Sequence, residues 1–269
     1  MTARPDIPPP PPLRLPPVNR ITLDNGLRLL LVERPRLPIL DVLLVLQSGA
    51  AADSPQCAGR CGLTADLLDA GTARRSQFEI AAALDALGAR LETSANWDVS
   101  TLALQSLSGH LDKALDILAD VACTAAFPPE EFRRGREERL ASILQDLDDP
   151  DTLAALAIAR AIYGDQHVYG TPASGTRRSV EQLDRDALLR FHAEHYRASN
   201  AFMVIVGDTT PDAALASVKR VFGSWPAAAR PTPTAPPMAA AAPPAIHLVD
   251  RPGAPQSEFR IGTVGAPRT

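Results

Sequence analysis

A chain of 269 residues, 45% hydrophobic and 22% charged, has room for one to two domains at about 150 residues each. Its 27 basic and 31 acidic residues leave a net charge of −4, which gives no electrostatic footprint for nucleic acid. No run approaches the roughly 18 uncharged apolar residues of a membrane helix. Even the strongest, Ile39–Leu46, contains Asp41.

The 26 prolines are unevenly spread, with eight in residues 1–17, seven in residues 226–244 and three after Asp250. Such stretches cannot donate a regular ladder of backbone hydrogen bonds. We therefore expect a Pro-rich leader over 1–17, a folded domain over 18–225 and a Pro/Ala-rich linker over 226–244. Residues 245–269 read as the start of a second, truncated domain. The leader has no apolar core of the kind a secretory signal needs. Three cysteines, an odd number, argue against a disulfide framework and for a reducing compartment.

Along the folded part, Asp24-Asn25-Gly26 between apolar runs predicts a hairpin. The near-continuous apolar run Ile39–Leu46 reads as a strand buried on both faces. A helix is expected over 62–70, then another opened by a Ser76/Glu79 capping box and closed at Gly88. Strands follow at about 90–94 and 99–107, with Leu102 and Leu104 on one face. Leu111, Leu115 and Leu118 mark an amphipathic helix. Pro128-Pro129 opens a charged helix running to Leu147, and Pro150 starts the next. Ser179 and Gln182 suggest a capping box before a helix over 183–195. A strand at 202–206 and a helix from Thr210-Pro211 to Gly223 complete the domain. Beyond the linker, 246–250 and 258–261 read as two short strands. Hairpins separated by blocks of helices predict an α+β fold with a largely antiparallel sheet.

Several short motifs recur in one order: Leu23-Asp24-Asn25-Gly26-Leu27-Arg28, Gly71-Thr72 with Arg75-Ser76, Leu87-Gly88-Ala89, Phe127-Pro128 and Asp148-Asp149-Pro150. Tyr169-Gly170, Gly175-Thr176, His195-Tyr196, Ser199-Asn200 and Val206-Gly207-Asp208 continue it. In this the chain resembles the pitrilysin/insulinase-type zinc peptidases, which include the mitochondrial processing peptidases and bacterial relatives. The resemblance implies one half of a clamshell, with helices packed mainly on one side of the sheet. Residues 250–256 resemble the beginning of the second half.

The same resemblance implies a metal helix with the motif His-x-x-Glu-His and a third, Glu ligand on a later helix. Two His four apart share a helix face and hold zinc, while the Glu acts as base toward zinc-bound water. Counting from Gly71-Thr72, the His positions fall on Gly62 and Asp66 and the Glu on Ala65. The third ligand falls on Ser142, or on Ala141 one residue earlier. The first histidine in the chain is His110, so no shift of register supplies the motif. Gly62, Ala65, Asp66 and Ser142 thus read as a degenerate site, with no catalytic or metal residue of its own. Glu92 stands where the family pattern carries Asn after the Gly-Ala turn, although an edge strand accepts peptide through its main chain.

Other candidates are weaker. His192 and His195 around Glu194 have the wrong spacing for the zincin motif, and His195 reads as a structural helix end. Cys57, Cys61 and Cys123 complete no four-ligand set and read as free thiols. His167 reads as a loop residue with a local hydrogen bond. The cluster from Arg133 to Arg139, interleaved with glutamates, reads as a solvated helix face, and alternatively as a partner surface.

The resemblance implies a non-catalytic subunit that helps form the peptide chamber of a partner carrying His-x-x-Glu-His. Zinc and activity are expected only with that partner. One alternative is a scaffold of the same fold, as in the core subunits of a respiratory complex; the other is a zinc endopeptidase with a displaced site. The cytoplasm is the default compartment, with the periplasm as the alternative.

Overall fold

A computed structural model describes residues 16–227 and 245–265. Residues 1–15 of the expected leader (1–17), 228–244 of the expected linker (226–244) and 266–269 lie outside the described residues.

Asn19–Thr22 (β1) and Arg28–Glu33 (β2) form the hairpin predicted at Asp24-Asn25-Gly26. The turn is fixed to the far end of the domain, because Asn25 Nδ2 donates to the carbonyls of Phe222 (2.7 Å) and Trp225 (3.1 Å). With Ile39–Leu46 (β3), Arg90–Ala95 (β4), Ser100–Leu107 (β5) and Ala201–Gly207 (β6), the strands make a six-stranded sheet in the order β1-β2-β6-β3-β5-β4. Neighbours run antiparallel except β2 and β6, which are parallel. The sheet is therefore mixed, mostly antiparallel and open, consistent with the expected α+β class.

One prediction about β3 is corrected. Leu40, Val42, Leu44 and Leu46 are buried, whereas Asp41 and Leu43 are exposed, and Asp41 accepts a hydrogen bond from Gln105 (2.9 Å). Strand side chains alternate between faces, and on the Asp41 face burial is confined to the C-terminal end of the strand, at Val45, while the Leu40 face is buried along its length. The continuous apolar run masks that asymmetry.

The core lies between the sheet and its helices. Leu111–Thr124 (α3) and Pro211–Phe222 (α8) contribute Leu115, Leu118, Val218 and Phe222 to it. The metal-helix region forms Arg60–Asp66 (α1) rather than 62–70. It starts earlier because Asp53, outside the expected span, accepts from Cys61 N (2.9 Å) and Arg60 Nε (3.0 Å) at the helix N-terminus. Gln77–Leu87 (α2) has the expected capping box, and Gly88 is left-handed at its C-cap.

Pro129–Asp146 (α4) and Pro150–Tyr163 (α5) match their proline signals, with Asp149 capping α5. The helix expected over 183–195 is Arg185–His195 (α7), and a short helix that was not expected, Arg177–Gln182 (α6), precedes it. Ser179 is not the cap. It is the third residue of α6, bonded reciprocally with the N-cap Thr176, and Gln182 is the last residue of that helix. Asp184 caps α7 by accepting from Ala187 N (2.7 Å). Two capping side chains five residues after Ser179 and three before it override the sequence pattern.

Residues 246–250 and 258–261 form no strand. A strand needs a hydrogen-bonded neighbour, and none lies beside them among the described residues; Ile246, Phe259 and Ile261 are exposed. The segment instead rests on α5, with Arg260 ion-paired to Asp151 and Gly262 against Ile158 and Ile162.

Candidate functional site

Two of the four positions read as a degenerate metal site, Asp66 and Ser142, line a cleft between α1 and α4, and Gly62 lies against Arg139 beside it. Cys61, Leu63, Thr64 and Ala65 of α1 are buried, whereas Gly62 and Asp66, one turn apart, keep exposure. Opposite them, α4 presents Arg139 and Ser142, three residues apart and so on one helix face. Asp66, Arg139 and Ser142 line a cleft of about 400 Å³, with Leu67 at its base. Gly135 lets α4 approach, since a Cβ there would lie 2.8 Å from Leu67 Cδ2. Ala65 does not reach the cleft, because it is fully buried beneath α1.

The main charged contact across this cleft is the ion pair between Arg139 Nη2 and the Asp66 carboxylate. Arg139 is 16% exposed and Asp66 49%, and Arg139 Nη1 also faces the Ser174 carbonyl at 3.5 Å. Gly62 leaves room for the guanidinium: a Cβ at this position would lie 3.3 Å from Nη1. The solvated-face reading of the Arg133–Arg139 cluster therefore divides. Arg133 pairs with Glu130 and Glu137 on the exposed side, whereas Arg134, paired with Glu131, lines the cleft and donates to Gln77 (3.1 Å). Arg136 donates to the Leu183 carbonyl (3.2 Å), and Arg139 crosses to α1. The sequence reading missed Arg139 because helical charge patterns do not show which arginine faces a neighbouring glycine.

This donor set does not fit zinc. Three protein ligands and an open position are needed at a catalytic site. Here the expected positions offer one carboxylate engaged by a guanidinium, one hydroxyl and a glycine, and the only other carboxylate lining the cleft, Glu138, lies 4.0 Å from Arg134. Among the described residues no group of three His, Cys, Asp or Glu side chains could hold a metal ion.

The histidines and cysteines have other occupations. His192 Nε2 lies 2.9 Å from the Ala122 carbonyl, and its ring stacks on Tyr196. His195 Nδ1 lies 2.9 Å from Ser48 Oγ, which also accepts from Asn200 Nδ2 (3.0 Å). His195 is thus the buried helix-end residue expected of it. His167 Nδ1 accepts from Tyr169 N (3.2 Å), a local bond as predicted. All three cysteines are free, Cys61 being in α1 rather than in the loop before it. Burial pushes the Cys61 and Cys123 thiols up to about 12, which removes their reactivity at neutral pH.

Burial also pushes His192 down to about 4. The unfolded imidazole titrates near 6.5, so the unfolded chain binds more protons between those values. The contribution of His192 to stability is therefore present above pH 6.5 and lost as the pH falls toward 4, by about 3 kcal/mol. Asp53, pushed up to about 6 by burial against the opposing Cys61 amide and Arg60, acts in the opposite sense. It is common to wild type and variant and cancels in their difference. Urea unfolding of wild type and His192→Phe at pH 7.5 and 4.5 should show the wild-type advantage shrinking by 2 to 3 kcal/mol, roughly. An unchanged difference would mean that His192 is already solvated in the folded protein.

The mixed, mostly antiparallel sheet with its packed helices defines an α+β class, and comparison with known proteins identifies the family. The model of the insulinase family, peptidase family M16, matches residues 28–171, and that of the peptidase M16 inactive domain matches residues 182–269. The chain belongs to this family. It is 27% identical over 206 residues to an uncharacterized zinc protease of Rickettsia bellii, covering 77% of this chain and 50% of that protein. A similar relative in Bacillus subtilis is 24% identical over 80% of this chain and 52% of the relative. The crystal structure of a peptidase M16 inactive domain from Pseudomonas fluorescens superimposes with a TM-score of 0.74 at 28% identity, over 85% of this chain and 54% of that one. A protease from Helicobacter pylori shares the fold at a TM-score of 0.76 and 21% identity, over 82% and 54%. The chain thus spans about half the length of these relatives. No helix among the described residues is long and apolar enough to cross a membrane.

Proposed function

We propose that this chain is a non-catalytic M16 subunit that pairs with a catalytic zinc subunit carrying His-x-x-Glu-His and closes one side of its peptide chamber. The observation that carries this reading is the α1–α4 cleft, where Gly62, Asp66 and Ser142 face Arg139 instead of forming a ligand set. The buried Ala65 leaves no carboxylate to act as base. What the family fold still offers is a surface for peptide. Strand β4 pairs only with β5, and its outer edge has no neighbouring strand among the described residues. Such an edge accepts an extended peptide by main-chain hydrogen bonds whatever the side chain at Glu92.

The purified chain is expected to hold no stoichiometric zinc and to cleave no unfolded peptide. Coexpressed with an M16 subunit that has the intact motif, it should co-purify and raise that subunit's peptide turnover. Elemental analysis giving one zinc per chain, together with chelator-sensitive cleavage, would sink the proposal. Co-purification without any effect on turnover would favour the scaffold alternative.

A further inference from the structure

We infer that Arg139 is a resident cation holding the place of the metal, so that returning the missing ligands alone does not restore zinc binding. This rests on the degenerate-site reading of Gly62, Asp66 and Ser142, and it adds a residue that no motif indicates. Loss of ligands would leave a gap between α1 and α4. Here the gap contains a guanidinium, mostly buried, ion-paired to Asp66 on α1 and facing the Ser174 carbonyl.

Three features place that charge among the former ligand positions. Asp66 is its direct partner. Gly62 lies one helical turn earlier on α1, and a Cβ there would be 3.3 and 3.5 Å from the two terminal guanidinium nitrogens. Ser142 lies three residues after Arg139 on α4 and lines the same cleft. A Cβ at Gly62 would therefore press on the guanidinium, which would give by only a few tenths of an ångström and keep its place. Arginine stays protonated at every accessible pH, so it cannot yield its place by losing a proton. A divalent cation entering beside it meets like-charge repulsion in a partly dehydrated cleft. A carboxylate introduced at position 142 would also stand three residues from Arg139 on one helix face, where it pairs with the arginine instead of a metal.

The test uses the full chain and zinc alone as the probe. One variant carries Gly62→His, Asp66→His and Ser142→Glu. A second adds Arg139→Ala, and a third adds Arg139→Met, which removes the charge and keeps most of the bulk. Ala65 is left unchanged, because the base is not a ligand. Zinc affinity is read by competition with a chromophoric chelator, and thermal unfolding with and without zinc establishes that each variant folds. The two Arg139 variants are expected to bind one zinc at least about 100-fold more tightly than the first, with a zinc-dependent rise in melting temperature. Equal affinity in all three overturns the inference, as does failure of all three folded variants to bind, since Arg139 is then not the obstacle. A gain with alanine but not methionine assigns the obstruction to volume and overturns the electrostatic account. Stoichiometric zinc in the wild type would instead defeat the non-catalytic reading.

Discussion

Replacing Asp120 by alanine is expected to lower the free energy of unfolding by about 3 kcal/mol. Its side chain on α3 is fully buried and accepts four hydrogen bonds, from Thr72 Oγ1 (2.9 Å), Arg74 Nε (2.8 Å), Arg75 Nη1 (2.6 Å) and Thr124 Oγ1 (2.6 Å). Burial alone would raise its pKa, but the bonds from Thr124, Arg74, Arg75 and Thr72 outweigh it and hold the carboxyl below the usual range. This stability is present above the unfolded carboxyl pKa and is lost as the pH falls through the folded one. Removing the acceptor strands several donors at once. Arg74 and Arg75 are partly exposed and regain water, which keeps the loss toward the lower end of that for a broken buried pair.

The neighbouring Asp116, one-third exposed and bonded to Arg75 (2.7 Å), is the control; Asp116→Ala should cost less than about 1 kcal/mol. Equilibrium urea unfolding separates the two, and an Asp120→Ala loss no larger than the control would remove Asp120 as a keystone. The consequence reaches the candidate site. Thr72 follows Gly71, whose carbonyl accepts from Ala126 N (2.9 Å), and Gly71 packs on Pro128 at the start of α4. The Asp120 cluster therefore fixes the connection leaving α1 relative to the helix carrying Arg139 and Ser142.

That cluster also explains which parts of the molecule were legible in the sequence. Gly71-Thr72 and Arg75-Ser76 could be recognised as a family anchor, and the anchor led to Asp66 and Ser142 in one cleft, with Gly62 beside it. Nothing in its spacing revealed that Thr72 and Arg75 converge on Asp120, because the partner lies more than 40 residues away. Local signals fared well where one backbone turn decides the outcome, as at Asn25-Gly26, at Ser76/Glu79 and at the prolines opening α4, α5 and α8. They failed where a distant or competing group decides. Asp53 moved the start of α1, Thr176 and Asp184 took the capping roles read at Ser179 and Gln182, and 246–250 found no edge to pair with. The cleft itself was half legible. Missing ligands can be counted from sequence, whereas the arginine between them is visible only when α1 and α4 are side by side.

Gly207→Ala is expected to destabilise the protein by about 3 kcal/mol or more. Gly207 ends β6 with φ +142, a conformation that L side chains rarely adopt. A Cβ there would lie 2.1 Å from the Ile39 carbonyl oxygen and 3.0 Å from Leu40 Cα. Both are backbone atoms of β3, so no rotamer change relieves the clash. The strand cannot shift either. Gly207 is paired with Leu40 on one side and Glu33 on the other, its carbonyl accepts from Arg34 N (2.7 Å), and Asp208 N donates to the Ile39 carbonyl (3.1 Å). Relief must come from separating β6 from β3 at the one place where the parallel and antiparallel parts of the sheet meet. Gly88→Ala provides the comparison, since Gly88 is left-handed (φ +57) with nothing within 4 Å of a new Cβ. It should cost only about 1 kcal/mol, from the backbone conformation alone. If the two substitutions lower the urea midpoint equally, contact with Ile39 is not what requires glycine at 207. If Gly207→Ala is much the worse, the Val206-Gly207-Asp208 motif is explained by the crossing of three backbones, with no need for a role in peptide chemistry.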